Sequence, residues 1–371
     1  MRIGLNATCI NNRPSGAKQR FFGIYSELIP RLPDVEFVIY EPKDCPVGSW
    51  FAKNSNVSVK RTPIRSEGRA LKLIKGLAYW PSTLKGQKLD VFERFNLPIV
   101  KNPDGKSILT IHDVRGLYSA QGALTSAAYR VYLEKSLRSA NHIVTVSETM
   151  KKEILDTFPD LPITVVYNGL DAKVFDSYSE NDLLLLREKH RLPEEFVLAV
   201  GHFEERKNYL RLIDAMAHLR DRGCSSSLVI VGNDSGLKAA VEKRVAALGL
   251  NKSVIILTGL SDLEVRCIYR LCSLFVFPST YEGFGIPILE AMAASCPMVL
   301  SDLPVFREIT QNRGLYFPAD NAELMANAIE RGLSSPEERA RLVEYGQQRI
   351  LDFSFGHLAD QVSQLYNSVV P

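Results

Sequence analysis

Two textures of apolar residues alternate along this chain. Short unbroken apolar runs bounded by small or polar residues predict buried parallel strands, and apolar positions spaced three and four apart predict amphipathic helices. Strands are expected at Arg2 to Ile10, Val35–Tyr40, Val57–Lys60, Asp90–Phe95, Ser107–Val114, His142–Ser147 and Thr164–Tyr167. A second series is expected at Phe196–Gly201, Ser227–Gly232, Ser253–Gly259, Ser273–Pro278 and Pro297–Ser301. Between them fall helices: one with Phe21, Ile24, Tyr25, Leu28 and Ile29 on one face, one over Ala123–Ala140, one with Leu210, Ile213, Met216 and Leu219 turned inward, and a last group from Asn321 to Val369. Strand–helix alternation of this kind predicts an α/β protein with parallel sheets. Asn168-Gly169 is a turn signal, and the polar, charged stretch Leu170 to Pro193 reads as a linker, so two domains are expected, over 1–170 and 171–355.

The most distinctive stretch is Ser279 to Ala294, STYEGFGIPILEAMAA, which follows an expected strand and leads into a helix that Pro287 is placed to begin. Gly283 and Gly285 let backbone approach an anion closely, and the N–H groups of a helix start favour a phosphate there. Glu290, one turn into the helix, is placed to take two ribose hydroxyls, and Glu282 on the loop is free to reach the group beyond the phosphates. The plain alternative is a solvated loop acid and a first-turn acid that complements the helix dipole. Two other strand-to-helix turns carry candidates. Gly201 is followed by Arg206-Lys207-Asn208, a cation pair at a helix start, where the dipole disfavours a merely solvated basic pair. Near the amino terminus, Gly16 can bring backbone N–H groups to a phosphate, though a lone glycine there also serves as an ordinary turn. His112 falls at the carboxyl end of an expected parallel strand, where open α/β sheets place ligands.

Glu282-Gly-Phe-Gly-Ile-Pro-Ile-Leu-Glu290 resembles the E-x7-E motif of the retaining, nucleotide-sugar-dependent glycosyltransferases grouped as family 4, and Gly201 with Arg206-Lys207-Asn208 matches a second motif of that family. The resemblance covers most of the chain and is specific from about Phe196 to Phe317. It implies the GT-B fold, two Rossmann-like domains facing across a cleft: an acceptor-binding domain over 1–170, a nucleotide-sugar-binding domain over 171–355, and a final helix, 356–371, crossing back to the first. It also implies roles. Arg206 and Lys207 would stabilise the leaving diphosphate; Gly283, Phe284 and Gly285 would touch sugar and phosphate; Glu290 would bind the ribose; Gly16 would face the diphosphate. Glu282 would lie near the donor sugar, and His112 near the bond being made. The implied donor is a nucleoside-diphosphate sugar, GDP-mannose or a UDP-sugar, and the acceptor a glycan or lipid-linked sugar of a cell-surface polysaccharide. Ser295 stands where relatives commonly have glycine, a helix-end difference. The same fold also hosts nucleotide-sugar epimerases and phosphorylases, and a non-catalytic nucleotide-sugar-binding subunit is a further alternative. A hydrolase would leave the glycine turn and cation pair without purpose, and no G-x-G-x-x-G follows the first strand, against a Rossmann dehydrogenase.

Composition changes this picture little. At 371 residues, 46% hydrophobic and 23% charged, the chain is long enough for two ordinary globular domains. Its six cysteines, at 9, 45, 224, 267, 272 and 296, include no C-x2-C pair and read as reduced core residues. No D-x-D occurs, so neither a carboxylate-held metal nor a separate cofactor is expected. The net charge of +3 hides an asymmetry: residues 1–170 carry 24 Lys and Arg against 15 Asp and Glu, residues 171–371 carry 21 against 27. The basic excess gathers over Arg61 to Lys88, where Arg61, Arg65, Arg69, Lys72, Lys75, Lys85 and Lys88 interleave with Leu71, Leu77, Tyr79 and Trp80. Tyr79-Trp80 shows no obvious core duty, so contact with an anionic membrane surface is expected there, with no nucleic-acid partner. The amino terminus lacks a secretory apolar segment, which leads to the expectation of a cytoplasmic protein, peripheral on the inner membrane face.

Overall fold

The computed structural model describes residues 1–12, 15–95, 99–118 and 123–370, with the side chains of 69–73 and 123–126 outside that description. The chain divides into two compact units, Met1–Gly169 with Ser354–Pro371, and Leu170–Phe353. In the first, strands β1 (Arg2–Asn6), β2 (Glu36–Glu41), β3 (Val57–Arg61), β4 (Val91–Arg94), β5 (Lys106–Ile111), β6 (His142–Thr145) and β7 (Ile163–Val165) alternate with helices α1 (Gly16–Arg31), α2 (Arg69–Leu84), α3 (Ala123–Arg138) and α4 (Glu148–Thr157). In the second, helix α5 (Glu180–His190) precedes strands β8 (Phe196–Val200), β9 (Ser227–Val231), β10 (Val254–Leu257), β11 (Leu274–Phe277), β12 (Met298–Ser301) and β13 (Leu315–Phe317). Its other helices are α6 (Tyr209–Asp221), α7 (Lys238–Ala247), α8 (Asp262–Leu271), α9 (Ile286–Ala293), α10 (Pro304–Ile309), α11 (Ala322–Ser334) and α12 (Pro336–Arg349). The last helix, α13 (Phe355–Val369), belongs to the first unit.

Among the described residues every strand pairing is parallel. The sheet orders are β3-β2-β1-β4-β5-β6-β7 and β10-β9-β8-β11-β12-β13. Parallel strands need helical crossovers, and helices on both faces explain why strands such as Phe196–Val200 are apolar throughout. In each sheet the order reverses beside the first strand, between β1 and β4 and between β8 and β11, and the connections on either side leave a crevice at the carboxyl ends. Each unit is therefore a doubly wound α/β domain.

The structure corrects three expectations. The stretch expected to be a linker contains α5, opened by a capping box in which the Ser179 hydroxyl and the Asp182 carboxylate each take up the other's backbone N–H. Ser179-x-x-Asp182 was the available signal, hidden by the polar composition around it. In α6 the inward face holds Tyr209, Leu212, Ile213 and Met216, and Leu210 is exposed; the helix starts directly at Tyr209, which sets the register. Trp80 does have a core duty. It is 1% exposed and packs edge-on to Tyr40 at 5.4 Å and tilted against Phe92 at 5.3 Å, closing the sheet face opposite α1. Arg69, Leu71 and Lys72 lie outside the described side chains. Among the described residues no helix is long and apolar enough to cross a membrane.

The returning helix α13 is held by more than apolar contact. Leu358, Ala359, Val362 and Leu365 join the core formed by α1 and β1. At its end the Tyr366 hydroxyl donates to buried Glu93 at 2.5 Å, Tyr25 donates to the same carboxyl oxygen at 2.7 Å, and Thr110 donates to the other at 2.9 Å. Burial pushes the Glu93 pKa up, and these three hydroxyls oppose the shift. Replacing Tyr366 by Phe keeps the ring and removes one donor. The Tyr366→Phe protein is expected to lose about 1–3 kcal/mol of stability in urea unfolding, the cost of under-satisfying a buried polar group.

Candidate active site

The crevice of the second unit lies where β8 and β11 end side by side, and the loops that follow them carry the expected chemistry. After β8 the chain turns through Gly201 at φ +147, and a Cβ there would fall 2.8 Å from Lys207 Cε. At that φ an L side chain would be strained, so glycine suits the turn over which the lysine folds back. A short 3-10 turn, Glu205–Lys207, then presents both cations. Lys207 is 6% exposed, its ammonium 4.6 Å from the centre of the Phe277 ring and 2.8 Å from Glu282 Oε1. Arg206 donates to the same oxygen at 2.5 Å through one terminal nitrogen and through Nε to Glu204 at 2.8 Å. The Ser279 hydroxyl adds a third bond to Glu282 Oε1, at 2.9 Å.

Glu282 is therefore not the free loop acid expected from the sequence. Two cations and a hydroxyl converge on one of its oxygens. Burial works to raise its pKa, but Lys207 and Arg206 outweigh burial and hold it below the ordinary value, so it is ionised at neutral pH. For Arg206, burial works downward and the carboxylates of Glu282 and Glu204 prevail, leaving its pKa raised. For Lys207 the balance goes the other way: desolvation lowers its pKa despite Glu282, with Arg206 adding to the fall.

Beyond Glu282 the chain bends at Gly283 and Phe284, passes Gly285 at φ +125 and enters α9 with Pro287 in the first turn. The Phe284 ring is 4% exposed and packs edge-on against Phe353, 5.9 Å between centres. Glu290 accepts a hydrogen bond from the Tyr269 hydroxyl of α8 at 2.9 Å. Burial raises the Glu290 pKa, opposed by that hydroxyl and by Lys207. Arg206, Lys207, Glu282 and the turn into Glu290 thus share one crevice.

Gly16 and His112 belong to the first unit. Gly16 is the first residue of α1, whose N-cap Ser15 accepts from Lys18 N at 3.2 Å; Arg13 and Pro14 of the same turn lie outside the described residues. His112 follows β5 beside the end of β4. Burial, helped by the Arg20 guanidinium, lowers its pKa to about 3, so its imidazole is neutral and serves as a hydrogen-bonding group. Arg20, 4% exposed on α1, donates to the carbonyls of Val166 and Tyr167 and ties α1 to the end of β7. Asp113 accepts from Arg115 N at 3.3 Å and so orders the following turn.

Four contributors went unread in the sequence. Glu204 could have been found as a carboxylate two residues before Arg206, and Ser279 as a hydroxyl three before Glu282. Arg20 and Tyr269 carried no local signal, since their partners come from distant elements. Among the described residues, no three His, Cys, Asp or Glu are grouped as metal ligands would be.

Residues 185–349 match the family described as glycosyl transferases group 1, and residues 19–174 match the family described as glycosyltransferase family 4. The chain is 30% identical to the O-antigen chain mannosyltransferase RfbU of Salmonella typhimurium over 70% of its own length and 69% of RfbU. It is 28% identical to the serotype-specific mannosyltransferase WbdA of Escherichia coli, over 68% of its own length but only 32% of WbdA. It shares its fold with Anabaena HepE, solved with UDP-glucose, at a TM-score of 0.74 and 19% identity, covering 99% of this chain and 100% of that one.

The lowered pKa of His112 makes a prediction with a definite sign. An imidazole that titrates at about 3 folded, against about 6.5 unfolded, adds stability above pH 6.5 that is lost as pH falls toward 3. A His112→Gln protein is therefore expected to show a flatter fall in thermal midpoint between pH 6.5 and 3 than the parent.

Proposed function

The chain belongs to the glycosyl transferases group 1 family, and on that premise we propose that it moves a hexose, with retention of configuration and without a protein-bound metal, from a nucleoside-diphosphate sugar to a glycan or lipid-linked acceptor of a cell-surface polysaccharide. The observation that carries the reading is the convergence of Arg206 and Lys207 on Glu282 at the switch point of the second sheet. When the bond between the sugar and the diphosphate breaks, charge grows on the departing oxygen. Fixed cations in a water-poor loop stabilise that charge more than they stabilise the bound donor.

In this reading the acceptor hydroxyl attacks from the face the diphosphate leaves, the new bond from its oxygen to the sugar forms as the old one breaks, and its proton passes to a phosphate oxygen. No protein nucleophile is needed. Ionised Glu282 orients the sugar, the backbone of Gly283 to Gly285 and the start of α9 receive the diphosphate, and Glu290 takes the ribose hydroxyls. Within the first unit, the start of α1 at Gly16 offers backbone N–H groups suited to an anion, and neutral His112 is a group suited to ordering a hydroxyl by hydrogen bonding. A mannose donor, GDP-mannose first, is to be tested because RfbU and WbdA are named mannosyltransferases, which speaks to the sugar and not to the base; UDP-sugars come second, on the ligand held by HepE. An epimerase or phosphorylase of the same fold would be told apart by a product that carries no new linkage to an acceptor.

A membrane-facing role for α2 has one observation behind it: Ile74 and Leu77, 67% and 50% exposed, flank exposed Lys75. Burial of Trp80 takes the aromatic anchor away from that surface and leaves an aliphatic and basic one. Peripheral binding through α2 predicts co-sedimentation with vesicles rich in anionic lipid, lost at high salt and weakened in an Ile74→Glu, Leu77→Glu protein.

Incubation with GDP-mannose and a panel of UDP-sugars, with and without a chelator, is expected to release nucleoside diphosphate from one donor class in either condition. A saturating donor at about 100 times its dissociation constant should add about 2.7 kcal/mol of stability. Lys207→Ala should lower kcat by about 10²–10³. Undiminished turnover in that variant would remove the cation pair from the mechanism.

A further inference from the structure

Asn208 stands where three loops of the second unit meet. Its backbone is left-handed, φ +58 and ψ +31, closing the turn that carries Arg206 and Lys207 and opening α6. Its side-chain amide donates to the carbonyl of Pro278 at 3.1 Å, just beyond β11, and to that of Ala319 at 2.7 Å, just beyond β13. One NH2 group thus ties the cation-bearing loop to the loop of Glu282 and to the loop after β13. The bond from Thr280 N to the Arg206 carbonyl, 2.8 Å, stitches the same two loops a few residues on.

We propose that Asn208 is a positioning residue for the transfer reaction, its amide setting the separation between the Arg206–Lys207 pair and Glu282. This rests on the function proposed above for that crevice. The requirement is a narrow one. Most residues lose about 1–2 kcal/mol in the left-handed conformation, and asparagine is among the few that occupy it readily. Glycine would relieve the backbone but offers no donor. Aspartate has the right shape, yet it would set carboxylate oxygens against two carbonyls. Asparagine alone supplies both the conformation and two N–H groups, and a misplacement of about 1 Å between reacting groups costs about a hundredfold in rate.

The test uses Asn208→Gly, which keeps the left-handed turn and removes the amide, with Asn208→Asp beside it. In hydrogen exchange of the ligand-free proteins, the amides of residues 280–285 should exchange faster than in the parent, while those of β8 and β9 keep the parent's rates. In steady-state transfer both variants should lose about tenfold or more in kcat, with donor KM moving less than about threefold, the pattern of an interaction made in the transition state. Unchanged exchange in the Glu282 loop overturns the inference, and so does faster exchange with a parental kcat. A fall in kcat that only follows loss of protection throughout the sheet assigns Asn208 a structural duty alone and overturns it as well. If the parent protein releases nucleoside diphosphate from no donor, the proposed reaction falls, and the exchange result still decides whether the amide ties the loops.

Discussion

One carboxylate oxygen organises the candidate site. Glu282 Oε1 receives an ammonium, a guanidinium and a hydroxyl. Lys207 and Glu282 have side chains only 7% and 12% exposed, so neither charge is well hydrated. A buried charge without its partner costs about 3–5 kcal/mol, which makes each of these groups a condition for the others. The neighbouring features follow from that constraint. Gly201 lacks the side chain that would strike Lys207, Phe277 lends the ammonium the face of its ring, and Glu204 holds the far edge of the Arg206 fork.

Sheet topology brings these groups together. β8 and β11 are neighbours in the sheet but lie some 75 residues apart in the chain, as the separation of Lys207 from Glu282 shows. The reversal of strand order between them opens the crevice in which their two loops meet. Ser301, at the end of β12, extends the scaffold by donating to the carbonyls of Phe277 and Ser279. The loop of Glu282 is thus framed from both sides by bonds that do not touch the carboxylate itself.

The first unit uses burial differently. Its interior holds polar groups whose charge is suppressed or shared. Glu93 sits under three hydroxyls, and His112 is kept neutral by desolvation and by Arg20. Tyr366 makes the last helix part of this network, so the end of the chain completes the core that its beginning opens. Burial also keeps His112 from acting as a cation near neutral pH, which limits it to orienting neighbours.

Most of the order of strands and helices, the two-domain division and the placing of Arg206, Lys207, Glu282 and Glu290 at strand-to-helix turns were legible in the sequence. They rest on local patterns: apolar runs the length of a strand, glycine and proline at turns, and charges placed beside them. Three things were settled only in the folded chain. Whether Trp80 faced solvent or core depended on Tyr40 and Phe92, which meet it from other strands. Whether Glu282 stood free or bound depended on cations 75 and 76 residues away. The state of His112 depended on its burial in the folded chain, with an arginine of α1 adding to the effect. Side-chain partners of this kind are fixed by non-local packing and desolvation, and no pattern confined to neighbouring residues encodes them.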